Sequence, residues 1–355
     1  MEFEVYRYKL PFKTPFIMSQ REYDFREGAL VALSCNGQKF WSEAAPLVGF
    51  STETLDDSLT QLTDHALVRR WITGNAECGP GCHPSVKFAL SMLRVQNDAG
   101  KAGNTITKHI TENDPGPIKI NATIGIDEEE KVLKMVQDFA DQGFRTVKFK
   151  VGRDFDKEVK ILFSVRRHFP DLNLRIDANQ AWDVKEAHKN LSRLHVLGLE
   201  YCEQPIEQKR LEELIWLKNQ ISLDIAADEA VRSFQDARKL VMNKSVDILV
   251  LKPMLIGSLT AFLDILELSK QFGVSVVVTT LFESGIGRQH VARLAGMVKH
   301  STLAHGLSTG NLFSGDVYSD SHLIKDGMYH MNLADRAAQP DISQLEKVDS
   351  FTISE

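Results

Sequence analysis

The 355-residue chain lacks the features that mark membrane proteins and nucleic-acid-binding proteins. No apolar stretch approaches the roughly 18 residues that a transmembrane helix needs. There is no Lys/Arg tract, and the net charge of −6 disfavours nucleic acid as a partner. The N-terminus has neither the basic start nor the apolar core of a signal peptide. We therefore expect a cytoplasmic protein that binds neither membranes nor nucleic acids.

Cysteine is scarce as well, with four residues in the chain. Cys78 and Cys82 lie in the sequence C-G-P-G-C, the one pair that approaches metal-ligand spacing. Because no second Cys or His pair accompanies them, we interpret the segment as a Gly/Pro turn and not as a zinc site. The length of the chain is sufficient for about two domains.

Residues 1–100 predict a separate module of antiparallel strands followed by two helices. Between two of these strands, residues 17–28 are predicted to form a polar loop, a kind of segment that often has a function. Residues 101–117 are typical of a linker. The segment after residue 307 is polar and rich in turns, and we expect it to return and pack on the N-terminal module.

From residue 118 onward, strand-like runs of Val, Ile and Leu alternate with helical stretches. Such runs are typical of parallel strands that are covered on both faces. Eight strands with seven intervening helices predict a closed barrel of the α/β class. A doubly wound open sheet is the alternative, although no G-x-G-x-x-G motif follows the first strand.

Charged residues end five successive strands of this predicted barrel, at steps of 27, 26, 25 and 24 residues. They are Lys150, Asp177, Glu203, Asp228 and Lys252. The carboxyl ends of barrel strands form the catalytic face, so three carboxylates should lie side by side between lysines on opposite sides of the mouth. Lys148 should share a side of its strand with Lys150. Salt bridges at the barrel rim are the alternative interpretation.

Three adjacent carboxylates repel one another unless one is protonated or a cation lies among them. Ligation by oxygen atoms alone fits Mg²⁺, whereas the His and Cys ligands that zinc prefers are missing from these positions. Lys148 and a bound divalent cation would favour the neutral form of Lys150, which could then act as a base. A metal ion with a lysine base is suited to removing a proton next to a carboxylate.

These residues resemble the enolase superfamily, in its muconate-cycloisomerase-like branch. The motifs that carry the resemblance are K-F-K at 148–150, D-A-N-Q-A-W at 177–182, E-Q-P at 203–205, D-E at 228–229 and L-K-P at 251–253. The resemblance implies a (β/α)7β modified TIM barrel with an α+β capping domain. Residues 1–115 would form the capping domain, residues 116–310 the catalytic barrel, and residues 311–355 a segment that returns to the capping domain.

The resemblance also implies a metal ion, Mg²⁺ with Mn²⁺ as an alternative. Its ligands would be Asp177, Glu203 and Asp228. Asn179 and Glu229 would support these ligands from the neighbouring positions of the D-A-N and D-E motifs. The resemblance further implies that a small-molecule carboxylate is the substrate, and it leaves a homo-oligomer open.

Within this branch, the sequence G-L-x-T-G-x-L-F followed by D-V, at 306–317, resembles the o-succinylbenzoate synthases, the dehydratases of menaquinone synthesis. Dipeptide epimerases of the branch carry an Asp-x-Asp motif here, where this chain has Ser308 and Thr309. The implied reaction is a syn elimination of water from 2-succinyl-6-hydroxy-2,4-cyclohexadiene-1-carboxylate. Lys150 would remove the α-proton and then assist the departure of hydroxide, while Lys252 stays cationic on the other face.

The substrate contacts are predicted from loops. The sequence F-E-S-G-I-G should open a helix, with Ser284 and the amides from Gly285 onward binding the succinyl carboxylate, although simple helix entry is an alternative. Ser308 and Thr309 are also expected at the substrate. The predicted loop of the N-terminal module should close over the substrate through Ser19 and Arg21.

Other functions stay open at this point. A racemase of N-acylamino acids or a dipeptide epimerase also suits two opposed lysines, and the missing acidic pair disfavours only the dipeptide reaction. A Schiff-base lyase with Lys150 or Lys252 as the nucleophile leaves the three carboxylates unexplained. A non-catalytic relative is disfavoured because the metal and lysine positions are intact.

Overall fold

The computed structural model describes residues 1–18, 21–74, 79, 81–111, 114–331 and 338–353. Its strands are β1 (Glu2–Met18), β2 (Arg21–Cys35), β3 (Gln38–Ala44), β4 (Pro117–Lys119), β5 (Ala122–Gly125), β6 (Thr146–Lys150), β7 (Asn173–Asp177), β8 (Cys202–Glu203), β9 (Ile225–Ala227), β10 (Ile248–Leu251), β11 (Ser275–Val278), β12 (Ile324–Lys325), β13 (Met328–His330) and β14 (Glu346–Thr352). Its α-helices are α1 (Leu55–Leu62), α2 (His65–Thr73), α3 (Pro84–Lys101), α4 (Ile106–Thr111), α5 (Glu129–Asp141), α6 (Phe155–His168), α7 (Val184–Leu194), α8 (Leu211–Gln220), α9 (Phe234–Met242), α10 (Pro253–Ile256), α11 (Leu259–Phe272) and α12 (Gly285–Ala295).

The strands β5 to β11 form a parallel sheet in chain order, and the described residues close it into a barrel. The eighth strand is reduced to His305 and Gly306, which bridge to Ile120 at one edge and to Thr279 at the other. The His305 N–H donates to Lys119 O at 2.8 Å, and the Gly306 N–H donates to Val278 O at 2.9 Å. Closure excludes the doubly wound sheet and confirms the predicted (β/α)7β barrel.

The barrel forms because apolar strands alternate with helices that start at polar caps. The strand β10, Ile-Leu-Val-Leu, is buried along its whole length, as expected for a parallel strand covered on both faces. The side chains of Asp154, Asp183, Ser233 and Ser258 each accept a backbone N–H at the start of the following helix. These caps end the loops that leave the carboxyl ends of the strands, so the loops stay at one face of the barrel.

The N-terminal module is an antiparallel sheet in the order β14-β1-β2-β3, packed against helices α1 to α3. Glu2 lies opposite Thr352 on one side and opposite Ser34 on the other. Phe3, Val31 and other apolar residues of the sheet share a buried cluster with the helices. The last strand of the chain, β14, therefore lies beside the first strand, β1. The domain boundaries at residues 115 and 310 stay predictions.

The prediction of a polar loop at 17–28 was wrong. The described residues of this segment belong to the far ends of β1 and β2, where Phe16 pairs with Tyr23 and Met18 pairs with Arg21. Glu22 and Asp24 alternate with Tyr23 and Phe25, and both carboxylates are exposed, so these charges reach solvent without interrupting the backbone pairing. Ser19 lies outside the described residues, and the structure describes only the backbone position of Arg21.

Two smaller expectations are also decided by the fold. The predicted linker at 101–117 contains α4, whose Ile106 and Ile110 are buried against the core. Of the C-G-P-G-C pair, Cys78 lies outside the described residues, and Cys82 is buried in the apolar cluster of the N-terminal module.

Among the helices of the described ranges, none has the length and apolarity that crossing a membrane requires.

Candidate active site

A cleft of about 1200 Å³ opens at the carboxyl ends of the barrel strands. The charged residues predicted at the strand ends all line it: Lys148, Lys150, Asp177, Glu203, Asp228 and Lys252. Pro15 from the β1–β2 hairpin and Phe50 from the N-terminal module contribute to its wall. The N-terminal module therefore supplies part of the cleft, while the barrel supplies the charged groups.

The parallel register places these groups beside one another. Lys150 of β6 pairs with Asp177 of β7, and Asp177 pairs with Glu203 of β8. Asp228 directly follows β9, and Lys252 directly follows β10. Because each strand ends at the same level of the barrel, residues that are about 25 positions apart in the chain become neighbours.

Lys148 bridges two of the carboxylates. Its Nζ lies 3.0 Å from Asp177 Oδ2 and 2.8 Å from Glu203 Oε1. Burial lowers the pKa of Lys148, but the attraction of Asp177 and Glu203 outweighs it and holds the pKa well above its usual value. Lys148 is therefore a fixed cation and not a base.

Lys150 faces the open part of the cleft and is less enclosed. Its Nζ donates to Asn179 Oδ1 at 2.7 Å and lies 3.5 Å from Asp177 Oδ2. About a third of its side chain is exposed, at 34%, against 15% for Lys148. Of these two lysines, Lys150 is the one that a bound substrate can reach.

Asn179 connects the lysine to the carboxylates. Its backbone N–H donates to Asp177 Oδ1 at 3.0 Å, and its Nδ2 donates to Glu229 Oε1 at 3.2 Å. The residue has a φ of +42°, and the following Gln180 has a φ of +66°. Two successive non-glycine residues in the left-handed region are costly, and such strain is typical of functional sites.

Lys252 stands on the strand opposite Lys150 and forms a buried ion pair with Asp228. Its Nζ also lies 4.9 Å from the centre of the Phe50 ring, a distance at which the ring stabilises a cation. The Asp228 N–H donates to Gln204 Oε1 at 3.0 Å, which fixes the loop that carries the carboxylate. The sequence motifs did not predict the contributions of Phe50 and Gln204, since both act through contacts between distant segments.

The carboxylates carry more negative charge than the lysines balance. Burial and the neighbouring Asp177 raise the pKa of Glu203 to about 8. Burial and the neighbouring Asp228 raise the pKa of Glu229 to about 7, and the buried Glu229 Oε2 has no hydrogen-bond partner among the described residues. A donor set of buried oxygen atoms with excess negative charge fits a divalent cation.

The carboxylates are not yet arranged as a metal cage. Among the described residues, no three Asp, Glu, His or Cys side chains converge closely enough to hold an ion. Lys148 holds Asp177 and Glu203, and Lys252 holds Asp228. We expect metal binding to turn the three carboxylates toward one point, with the lysines remaining beside them.

The structure separates the predicted substrate residues into two groups. Ser308 and Thr309 line the cleft, where Ser308 Oγ donates to Asn121 O at 3.0 Å and Thr309 Oγ1 lies 2.9 Å from Thr280 Oγ1. Ser284 and Gly285 do not belong to the lining, and Ser284 is fully buried. The structure therefore does not bring the predicted carboxylate-binding turn to the cleft.

The N-terminus of α12 is capped from within the protein. The N–H groups of Ser284 and Gly287 each donate to Glu43 at 3.0 Å, and the Gly285 N–H donates to Asp316 at 3.2 Å. These carboxylates use the donors that the prediction had assigned to the substrate. The sequence motifs did not identify Glu43. An acidic residue within the otherwise apolar run F-W-S-E-A-A is nevertheless a feature that the sequence shows.

Glu283 lies beside Glu43. We expect this pair to make the stability of the folded protein depend on pH. Burial and the charge of Glu43 raise the pKa of Glu283 to about 7, from 4.5. Because the folded state holds this proton more tightly, the free energy of unfolding should fall as the pH rises from about 4.5 to about 7. Glu283→Gln should remove this loss and stabilise the protein at pH 8 by up to about 3 kcal/mol.

Thermal unfolding between pH 5 and pH 8 measures this effect, with Glu130→Gln on an exposed face as the control. The melting temperature of Glu283→Gln should exceed that of the parent protein by a margin that grows with pH. A margin that is the same at both ends of the range contradicts the assignment.

Known protein families match the barrel and the N-terminal module separately. Residues 131–335 match the family model "Enolase C-terminal domain-like", and residues 1–97 match "MenC, N-terminal domain". The o-succinylbenzoate synthase of Vibrio cholerae serotype O1 (strain M66-2) is 31% identical over 320 residues, which cover 87% of this chain and 89% of that protein. The o-succinylbenzoate synthase of Haemophilus influenzae (strain ATCC 51907 / DSM 11121 / KW20 / Rd) is 30% identical, over 82% of this chain and 85% of that protein.

Solved structures agree on the fold. A member of the enolase superfamily from Listeria innocua Clip11262 has a TM-score of 0.85 and 22% identity, over 99% of this chain and 97% of that chain. A dipeptide epimerase from Enterococcus faecalis V583, complexed with Mg and the dipeptide L-Leu-L-Tyr, has a TM-score of 0.79 and 25% identity, over 90% of this chain and 92% of that chain. The chain belongs to the o-succinylbenzoate synthase family of the enolase superfamily.

Proposed function

We propose that the protein is an o-succinylbenzoate synthase, a metal-dependent hydro-lyase of menaquinone synthesis. It would remove water from 2-succinyl-6-hydroxy-2,4-cyclohexadiene-1-carboxylate and leave o-succinylbenzoate. The observation that carries the proposal is the arrangement of three carboxylates between Lys150 and Lys252 at the mouth of the barrel. Such a site removes a proton next to a carboxylate, which is the first requirement of this elimination.

The charge of the cleft supports a carboxylate substrate. Of the described residues that line the cleft, five are basic and five are acidic. A bound divalent cation would make the lining net positive, which suits an anionic substrate.

Asp177, Glu203 and Asp228 would hold the metal ion, since all three offer buried carboxylate oxygen atoms at adjacent strand ends. We infer Mg²⁺, with Mn²⁺ as an alternative, because both accept oxygen ligands. When bound, the ion stabilises the negative charge that develops on the reacting carboxylate as its α-proton is removed.

Lys150 is the proposed base and acid. In its neutral form, Nζ takes the α-proton, and the ammonium group thus formed gives a proton to the departing hydroxyl group on the same face. Asn179 orients Nζ through the 2.7 Å hydrogen bond. Lys148 does not compete for the α-proton, because its contacts with Asp177 and Glu203 keep it protonated.

Lys252 acts from the other face as a cation. Its ammonium group pairs with Asp228 and lies beside the Phe50 ring. A fixed positive charge at this place stabilises the electron-rich carbon that forms when the proton leaves. Pro15 and Phe50 of the N-terminal module line the cleft together with these charged groups.

The test is an assay of purified protein with the cyclohexadiene substrate and Mg²⁺. We expect o-succinylbenzoate to form with the metal and the rate to fall to the uncatalysed level after chelation. Formation that survives chelation contradicts the proposal. In that case, borohydride trapping of a lysine adduct would identify a Schiff-base lyase instead.

Racemisation of N-acylamino acids is the second candidate. It is favoured by Lys150 and Lys252 on opposed strands, where each can serve one face of an α-carbon. Ser308 and Thr309 line the cleft without an acidic group to hold a substrate amine, which disfavours dipeptides. A homo-oligomeric state and a cytoplasmic location stay predictions.

A further inference from the structure

A buried ion-pair cluster lies outside the cleft, at the side of α12. Arg288 is 1% exposed, and its Nη2 lies 2.7 Å from Asp316 Oδ2 and 2.5 Å from Asp320 Oδ1. Its Nε adds a second contact with Asp320, at 3.1 Å. The Tyr329 hydroxyl donates to the same carboxylate at 3.2 Å. We call these four residues the Arg288 cluster.

The Arg288 cluster joins two segments that form one wall of the cleft. Arg288 Nη1 donates to Glu283 O at 2.7 Å, in the loop that follows β11. Asp316 belongs to the segment after the eighth strand and also accepts the Gly285 N–H. Residues 279–282 of the first segment line the cleft. Residues 308–312 of the second segment also supply lining groups.

Gly310 is the point at which the cluster meets the wall. A Cβ atom built on Gly310 would lie 2.7 Å from Arg288 Nη2 and 2.9 Å from Arg288 Cζ. These distances are shorter than a van der Waals contact, so the backbone of this segment rests directly on the guanidinium group. Thr309 on one side of Gly310 and Asn311 on the other both line the cleft.

The contact gives a physical reason for the motif at 306–317. The glycine of T-G-x-L-F leaves room for the guanidinium group, and the aspartate of D-V pairs with it. The proposed reaction uses neither residue directly. A planar group with five donors is suited to holding two carboxylates and a carbonyl in fixed directions, and a lysine in its place would lose part of this geometry.

We propose that Arg288 is a positioning residue that sets the position of the cleft wall at 308–312, and thereby the fit of the substrate. The inference rests on the proposed function, because it concerns the same cleft. The Arg288 cluster touches neither the lysines nor the three carboxylates of the site. Displacement of the wall should therefore raise KM and leave kcat nearly unchanged.

Gly310→Ala tests the proposal with a single added carbon. It should push the wall off the guanidinium group and raise KM by about tenfold, since small displacements of substrate-positioning groups have effects of this order or larger. Gly315→Ala is the matched control: it lies in the same segment, and nothing among the described residues is within 4 Å of its added Cβ. Its KM should match that of the parent protein.

The double variant Arg288→Lys/Gly310→Ala separates positioning from a general loss of stability. A lysine side chain leaves space where Nη2 stood, so the added methyl group should cause no further increase in KM beyond that of Arg288→Lys alone. Strictly additive effects, or an unchanged KM in Gly310→Ala, would overturn the inference. So would a fall in kcat at constant KM.

Failure of Gly310→Ala to fold, or absence of dehydratase activity in the parent protein, would also decide between the interpretations. If Gly310→Ala does not fold, recovery of folded protein in the double variant supports the steric contact, and failure to recover refutes it. The variants are measured on whichever substrate the parent protein converts. A parent protein without dehydratase activity refutes the proposed function, whereas a parent-like KM in Gly310→Ala refutes the positioning role alone.

Discussion

Replacement of Lys150 by alanine should lower kcat for dehydration by a factor of about 10²–10⁴, the usual contribution of general acid–base catalysis. The loss follows because Lys150 is both the base for the α-proton and the acid for the leaving hydroxyl group. Lys148 cannot substitute for it, since Asp177 and Glu203 keep Lys148 protonated. Steady-state rates with saturating Mg²⁺ measure the effect.

Lys160→Ala is the control for this prediction, because Lys160 is an exposed lysine of α6. It should retain the rate of the parent protein. A Lys150→Ala variant that folds and keeps the full rate would remove Lys150 from the mechanism. A variant that loses exchange of N-succinylamino acids together with dehydration would support a base shared by both reactions.

Replacement of Glu203 by glutamine should weaken Mg²⁺ binding by more than about tenfold, since even groups that only orient metal ligands contribute about 10–100-fold. The change removes one negative charge from the middle of three adjacent carboxylates while keeping the size of the side chain. Calorimetric titration with Mg²⁺ measures the affinity without reference to turnover. Activity should fall together with it.

Glu207→Gln is the matched control for the metal prediction. Glu207 lies four residues further along and pairs at 3.4 Å with the exposed Arg210. Its loss should leave Mg²⁺ affinity unchanged. An affinity in Glu203→Gln equal to that of the parent protein would show that the ion binds elsewhere.

The charged residues of the site could be predicted because the barrel repeats in the sequence. A strand and a helix take roughly 25 residues in this chain, so a charge at each strand end recurs at that interval. Parallel strands then bring the recurring positions to one edge. Asp177 and Glu203 are paired in register as this argument requires.

The partners of α12 could not be predicted in the same way. The Ser284 N–H donates to Glu43, a residue 241 positions earlier, across the junction of the two modules. Local patterns show that a helix begins at Ser284, but they do not show which carboxylate caps it. The difference between the predicted and observed partners of Ser284 and Gly285 therefore comes from a long-range contact, and not from a misjudged helix.

The β1–β2 hairpin illustrates a different limit. Charges in the segment 17–28 favoured a loop, yet strand pairing continues to Met18 and Arg21 because charged residues at a sheet edge still pair through their backbone. Arg26 of this segment is buried, and its Nη1 donates to Pro46 O at 2.7 Å. Composition alone does not distinguish such a buried arginine from a solvated one.

The most direct test of the proposed function compares two reactions in one preparation. The Mg²⁺-loaded protein is given the cyclohexadiene substrate and, in parallel, N-succinylamino acids in D₂O. We expect kcat/KM for dehydration to exceed that for α-deuterium exchange. Rapid exchange without dehydration would contradict the proposal and would identify the protein as a racemase.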